Sequence, residues 1–194
     1  MGTETQTEQL NNTVARDLAG RDINNISHIN NHYAQTRAAI PIIKNLLKRF
    51  EEECQSNTRL NAFIEELDYY NKRIEGDVLG LEQKLTDGNQ GALIDFALRA
   101  KERFHKKLFK FQFSESAQKI NAQLLSWVET RFEHHIYPKI VKGSSPEEVC
   151  SLVDNVIVTP LLAELEDDAL GYTSTEISGM LYYLTGNCHI KWTK

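Results

Sequence analysis

Two adjacent pairs, His134-His135 and Cys188-His189, are the residues of this chain whose types best suit chemistry. Adjacent helical residues point about 100° apart and adjacent strand residues face opposite sides, so neither pair converges on one ion or substrate. The chain also lacks a glycine-rich phosphate loop, a G-x-S-x-G turn, an H-E-x-x-H pair and zinc-finger spacing. The sequence therefore predicts a protein that is not an enzyme, with no catalytic residue, no metal site and no cofactor.

Basic residues recur at helical spacing in one segment. Arg99, Arg103, Lys106 and Lys110 lie three or four positions apart, which places them in one stripe on a helix. Such a stripe contacts phosphates, solvates the helix, or meets an acidic surface such as residues 147–170, which hold seven acids and no Lys or Arg. These four residues are candidate interaction residues, with nucleic acid the less favoured partner.

Composition bounds the class of protein. Of the 194 residues, 41% are hydrophobic and 25% charged, which predicts one globular domain able to fold without disulfides or metal. The net charge of -5 argues against a broadly basic coat for nucleic acid. No apolar run reaches the roughly 20 residues that cross a bilayer, and no signal peptide is recognisable, so we expect a cytoplasmic protein without a membrane partner. The widely spaced Cys54, Cys150 and Cys188 favour reduced thiols.

Apolar residues recur every three or four positions from about residue 34 onward, which predicts a bundle of about five to six helices. Two helices flank residues 56–57, and the third carries its apolar stripe from Leu93 through Phe96 to Phe111. The fourth runs from near Ser114 toward Pro138, which should kink or end it.

Capping boxes mark the start of the last two predicted helices. Ser145 and Glu148 have the required spacing, and Thr173 and Glu176 repeat it. The first of these helices contains Pro160, where we expect a break or bend.

The residues after position 185 predict the end of the last helix and a short segment that packs against the domain. Gly186-Asn187 favours a helix end with a residue at positive φ, and the alternation from Cys188 to Trp192 predicts a short strand or a docked tail. Trp192 should be buried, because its large apolar area is what would hold this tail in place.

Residues 1–33 differ from the rest of the chain. Residues 1–12 predict a flexible tail, and residues 13–33 an Asn/Gly-rich extended segment, because Asn competes with helical hydrogen bonds. Its Ile23, Ile26 and Ile29 predict pairing of strand edges with the C-terminal strand or with a second copy, which would make a homo-oligomer; the alternative is an unstructured linker. The fold class is then mainly α, with a helical domain at 34–194 and short extended or β elements at both ends.

The segment 177–192, ISGMLYYLTGNCHIKW, closely resembles the ending of C-terminal domains in bacterial ABC-three-component (Lamassu-like) conflict systems. Such domains tend to finish with a helix, then Leu-Thr-Gly-Asn-Cys-His-Ile and a basic residue before Trp. The corresponding structural motif here is Gly186, Asn187, Cys188, His189 and Trp192. The string AGRDINN at 19–25 is similar to the Gly- and Asn-rich repeats that precede such domains.

The resemblance implies a prokaryotic anti-phage or anti-plasmid system in which an SMC-like ATPase works with a small middle component and an effector. The domain usually follows the effector in the same chain, whereas no nuclease or protease domain precedes the motif here, so we expect a stand-alone subunit. The expected function is a non-enzymatic interaction subunit that couples the ATPase to the effector. The alternative is a nucleic-acid-binding regulator that uses the basic stripe.

Overall fold

The computed structural model describes residues 40–56, 63–74, 79–165 and 170–193. Helices dominate these residues, which confirms a mainly α fold. The predicted C-terminal β element is not formed, since no strand occurs in the described part of the chain. The predicted N-terminal element, with Ile23, Ile26 and Ile29, lies outside the described residues.

The described residues form α-helices together with short 3₁₀ and π-helical segments. A 3₁₀ turn spans Gly91–Leu93, and two π-helical segments span Phe132–Ile136 and Asp154–Val158. The α-helices are α1 (Ile40–Ser56), α2 (Glu65–Asn71), α3 (Leu81–Asp87), α4 (Ile94–Lys110), α5 (Glu115–Arg131), α6 (Tyr137–Val141), α7 (Pro146–Val153), α8 (Thr159–Glu164) and α9 (Ser174–Gly186).

Helix α9 is the centre of the core. Every residue from Glu176 to Thr185 is buried, as expected for a helix that is surrounded by others. It packs closely on α4: a Cβ at Gly179 would lie 2.2 Å from the carbonyl oxygen of Ala100 and 2.8 Å from Cβ of Phe104. Glycine at 179 therefore sets the separation of the two helices.

Pro138 and Pro160 each follow a π-helical segment. Each segment ends two residues before its proline, Pro138 or Pro160, and the helix then continues as α6 or α8. Proline lacks an N–H and its ring crowds the carbonyl four residues earlier. For Pro160 that carbonyl belongs to Val156, and it accepts a hydrogen bond from Arg131 Nη1 at 3.4 Å. The chain therefore stays helical through both prolines, in widened turns, so neither ends its helix; the kink predicted at Pro138 and the bend predicted at Pro160 stay predictions.

Glu53 on α1 caps the N-terminus of α5. Its carboxylate accepts hydrogen bonds from the hydroxyls of Ser114 and Ser116, at 2.7 and 2.6 Å, and from the Ser116 N–H at 3.2 Å. Burial raises the pKa of Glu53, but these donors outweigh that effect and lower it. The edge of the Phe50 ring also contacts Phe111 at a centroid distance of 5.3 Å. A single acidic side chain thus joins two helices.

The capping boxes are confirmed at both predicted helix starts. At α7, Ser145 N–H donates to Glu148 at 3.0 Å, and Glu148 N–H donates to the Ser145 hydroxyl at 3.2 Å. At α9, Glu176 accepts from the Thr173 N–H at 3.0 Å and from its hydroxyl.

No helix in the described part of the chain is long and apolar enough to span a bilayer.

Candidate functional site

The backbone after α9 closes in a Schellman turn. The N–H of Cys188 donates to the Thr185 carbonyl at 3.2 Å, and the N–H of His189 donates to the Leu184 carbonyl at 2.9 Å. The residue at positive φ is Cys188, with φ 67°, whereas Asn187 has φ -93°. The positive-φ residue was expected at Gly186-Asn187 and lies one position later. A non-glycine residue in this conformation is costly, so contacts elsewhere must hold Cys188 there.

Those contacts come from residues 70–74. Asn187 Nδ2 donates to the Tyr70 carbonyl at 2.9 Å, and the Asn187 carbonyl accepts from the Ile74 N–H at 3.1 Å. His189 Nε2 lies 3.2 Å from the Lys72 carbonyl oxygen. The segment after α9 is therefore hydrogen-bonded, through two side chains and one backbone carbonyl, to the end of α2 and the residues that follow it, more than a hundred positions earlier.

Three cations surround the carboxyl end of α9. Lys84, 4% exposed, donates to the Thr185 carbonyl at 3.1 Å, and Arg73 Nε donates to Cys188 Sγ at 3.3 Å. Lys101 Nζ would lie 2.4 Å from a Cβ at Gly186, so it rests against this glycine. The end of a helix carries partial negative charge, which these cations stabilise.

The cations also change the acidity of their neighbours. Burial raises the pKa of the Cys188 thiol, but the hydrogen bonds and charges of Arg73 and Lys84 outweigh burial and lower the pKa below its usual value. Burial and the charge of Arg73 lower the pKa of Lys101. Thiolate character at Cys188 is thereby favoured inside a cationic shell.

His189 lies opposite a carboxylate without bonding to it. Its Nδ1 is buried, has no hydrogen-bond partner among the described residues, and is 3.9 Å from Oε1 of Glu129. Tyr70 donates to the other oxygen of Glu129 at 3.3 Å. Burial lowers the pKa of His189 and raises that of Glu129, so both side chains favour their neutral forms. Among the described residues, no group of three or more His, Cys, Asp or Glu side chains is placed to hold a metal ion.

Trp192 is buried, with 2% of its surface exposed, as its size predicts. Its Nε1 donates to the Thr185 hydroxyl at 3.0 Å, and its ring lies 5.0 Å from that of Phe132. A Cβ at Gly88 would lie 2.5 Å from Cβ of Trp192, so Gly88 makes room for it. Of the two forms predicted for the chain end, the structure has a docked tail, because its polar groups bond to α9 and to residues 70–74 rather than to a strand.

The basic stripe lies on α4, and we call its four members the basic row: Arg99, Arg103, Lys106 and Lys110. Arg103 pairs with the buried Glu176 at 3.2 Å, and Lys106 pairs with Glu102 at 2.7 Å. Lys110 Nζ lies 5.0 Å from the centroid of Phe111. Arg99 is exposed. Half of the row is thus already paired within the chain.

Sequence reasoning missed a second exposed row on α4, which we call the apolar row: Leu98, His105 and Phe109. Leu98 and Phe109 are 40% and 45% exposed, and the ring of His105 lies 4.7 Å from that of Phe109. Phe96, expected in the buried stripe, is 37% exposed. At about 100° per residue, the buried face, the apolar row and the basic row each take roughly a third of the helix surface. The sequence did contain a signal for the apolar row, because its three residues are seven and four positions apart, a spacing that places them on one face of a helix.

A family model for C-terminal domain 9 of the ABC-three component (ABC-3C) systems matches residues 80–192. The matched span is more than half of the chain. The chain belongs to this family. The matched span, residues 80–192, includes α3 to α9, both rows of α4 and the whole C-terminal motif. This match confirms the resemblance that was drawn from residues 177–192. Neither a search of curated proteins nor one of solved structures finds a match to the ABC-3C chain.

Proposed function

We propose that this chain is a non-enzymatic, cytoplasmic interaction subunit of an anti-phage or anti-plasmid ABC-3C complex, and that it couples an SMC-like ATPase to an effector. Membership of the ABC-3C family supports a place in such a multi-component system. The observation that carries the interaction role is the outer surface of α4, where the apolar row runs beside the basic row.

The two rows suit a protein partner better than a polymer of phosphates. Exposed apolar side chains grouped on one surface are typical of protein interfaces. The neighbouring cations would select acidic residues on that partner and orient it. We therefore expect an amphipathic partner segment with acidic residues along one edge.

The alternative, a nucleic-acid-binding regulator, would use the basic row alone. Arg103 and Lys106 are paired with Glu176 and Glu102, so less of their charge is free to displace counterions from phosphates. The Leu98 and Phe109 side chains have no role in a phosphate contact. The alternative remains a second proposal because Arg99 and Lys110 stay exposed.

The test is co-purification of the chain with the ATPase and effector encoded beside it. Leu98→Glu with Phe109→Glu should abolish the complex, because two carboxylates would be buried against an acidic apolar partner. Leu79→Glu is the matched control, since Leu79 is 44% exposed and lies on neither row. A complex that survives the double variant, or that is lost equally in the control, would refute the role of the apolar row.

Binding of DNA and RNA by the isolated chain separates the two proposals. Under the interaction proposal the wild type binds little of either. Tight, salt-sensitive binding that is lost when Arg99, Arg103, Lys106 and Lys110 are changed to Glu would favour the regulator instead.

A further inference from the structure

A cleft of about 310 Å³ lies between the start of α9, the turn before α4, and α7 with its π-helical segment. Its volume is at the lower end of the range for ligand sites, and its aromatic lining comes from Phe96, Tyr182 and Trp192. The ring of Phe96 meets that of Tyr182 edge-on at 6.0 Å.

Two buried polar side chains line this cleft. Tyr182 and Gln90 are each only 3% exposed. Within the described residues the Tyr182 hydroxyl has no hydrogen-bond partner, and the amide of Gln90 is contacted only by the Cys150 thiol, at 3.9 Å. Neither the Tyr182 hydroxyl nor the Gln90 amide is among the side-chain atoms of the described residues that are sealed from solvent without a partner, so both are open to the cleft and can hydrogen-bond to a ligand that enters it.

The charge at the cleft is negative. Asp154, the first residue of the π-helical segment, is the charged residue of the lining, and Lys and Arg do not contribute to it. Burial raises the pKa of Cys150, and the nearby charges of Asp154 and Glu147 raise it further. Burial, Cys150 and Asp154 likewise raise the pKa of Tyr182, so its hydroxyl stays protonated. This field, together with three aromatic rings, favours a cation with a flat or apolar body.

We propose that the cleft receives an arginine side chain of the partner protein. A guanidinium group is planar, stacks on aromatic rings and donates in a fork that matches a carboxylate such as Asp154. Its remaining N–H groups would reach the Tyr182 oxygen and the Gln90 carbonyl. The identity of the occupant as a partner residue rests on the proposed interaction function, whereas the preference of the cleft for arginine does not.

The test uses the whole chain with Trp127→Phe, which leaves Trp192 in the cleft wall as the sole tryptophan of the two. N-acetyl-arginine methylamide is titrated while Trp192 fluorescence is recorded, with the citrulline analogue as the neutral isostere. We expect saturable binding with a dissociation constant on the order of 1 mM, and binding of the citrulline compound at least about tenfold weaker.

Two variants locate the binding. Asp154→Asn should weaken arginine binding about five- to tenfold, and because Asp154 is exposed the melting temperature should hold. Glu51→Gln, an exposed acid on α1, is the matched control and should change neither. Equal binding of arginine and citrulline, an unaffected Asp154→Asn variant, or no saturable change would each overturn the cleft proposal. Failure of co-purification with the ATPase alone would instead overturn the proposed function.

Discussion

The segment after α9 and the outer face of α4 contain similar residue types and use them in opposite ways. Residues 187–192 are irregular, yet Asn187, His189 and Trp192 all bond to the core. The face of α4 is a regular helix, yet its Leu98 and Phe109 are still 40% and 45% exposed. Between these two regions, the regular helix carries the more accessible side chains and the irregular segment makes the hydrogen bonds to distant residues.

The two capping boxes have the same spacing in the sequence but different surroundings in the fold. Glu148 closes its box on an exposed turn, whereas Glu176 is buried and also pairs with Arg103. Burial raises the pKa of Glu176, and its bonds to Thr173 and the nearby charges of Lys107 and Arg103 lower it overall. Identical spacing thus produces a local cap in one place and an interhelical bridge in the other.

The largest effect should separate two aromatic residues, one from each region. Trp192→Ala should lower the free energy of unfolding by about 3 to 5 kcal/mol, because it removes a buried indole and its hydrogen bond to Thr185. Phe109→Ala on the outer face should cost about 1 kcal/mol or less. Thermal and denaturant melts measure both. Equal losses would show that the chain end is no better anchored than the exposed face.

The contact of α4 with α9 should be the next most sensitive. Gly179→Ala would place a methyl group 2.2 Å from the Ala100 carbonyl oxygen, and separating the helices should cost about 3 kcal/mol. Gly91→Ala is the control, because a Cβ at Gly91 meets nothing within 4 Å. A denaturant melt in which both variants match the wild type would show that the helices are not in such close contact.

The buried cation below α9 should contribute more than an exposed one. Lys84→Met should cost about 2 kcal/mol, since it removes a charged donor from the Thr185 carbonyl while keeping the apolar stem. Lys106→Met, on the basic row, should cost about 0.5 kcal/mol or less. If urea midpoints shift equally for the two, the bond to Thr185 carries no special weight.

The positive φ of Cys188 predicts that glycine is a more stabilising substitute than alanine at this position, the reverse of their usual order in a helix. Cys188→Gly should be more stable than Cys188→Ala by about 1 kcal/mol, because only glycine adopts φ 67° without strain. Both variants lose the sulfur contact with Arg73, so the comparison isolates the backbone. Higher stability of the alanine variant in paired melts would contradict the assigned turn.

The smallest effect concerns pH. Burial lowers the pKa of His189; the Lys72 carbonyl opposes this and the charge of Lys84 adds to it. The unfolded chain therefore takes up the proton first, so this contribution to stability is complete above about pH 6.5 and is lost as pH falls toward the lowered pKa. Burial raises the pKa of Glu129, which acts in the opposite sense at lower pH. His189→Gln should reduce the slope of melting temperature against pH below 6.5; an unchanged slope would assign it to other groups.

Much of the fold was predictable because its signals are local. Ser145 and Thr173 mark the starts of two helices, and each forms its capping hydrogen bond with a residue only three positions later. The third predicted helix corresponds to α4, whose buried stripe includes Ala97, Ala100 and Phe104. Helix α3 was missed because its seven residues offer only Leu81 and Leu85 as an apolar period.

The candidate sites were less predictable because they depend on distant parts of the chain. Nothing in the motif around Cys188 indicates that Arg73 and Lys84 will meet it. The cleft likewise joins Gln90, Asp154 and Tyr182, which are spread over the matched span. The predicted role of Ile23, Ile26 and Ile29 in self-association lies outside the described residues and stays a prediction.

The sequence by itself determined the helical class, the two helix starts with capping boxes and the family, because periodicity, capping and the LTGNCHIKW string are properties of neighbouring residues. Only the tertiary structure decided which polar residues are buried and which apolar ones remain exposed. Lys84 is buried and donates a hydrogen bond to a carbonyl at the end of α9, while Phe109 lies at the surface. The physical reason is that burial depends on which elements pack together, and α9, through Gly179, fixes that packing.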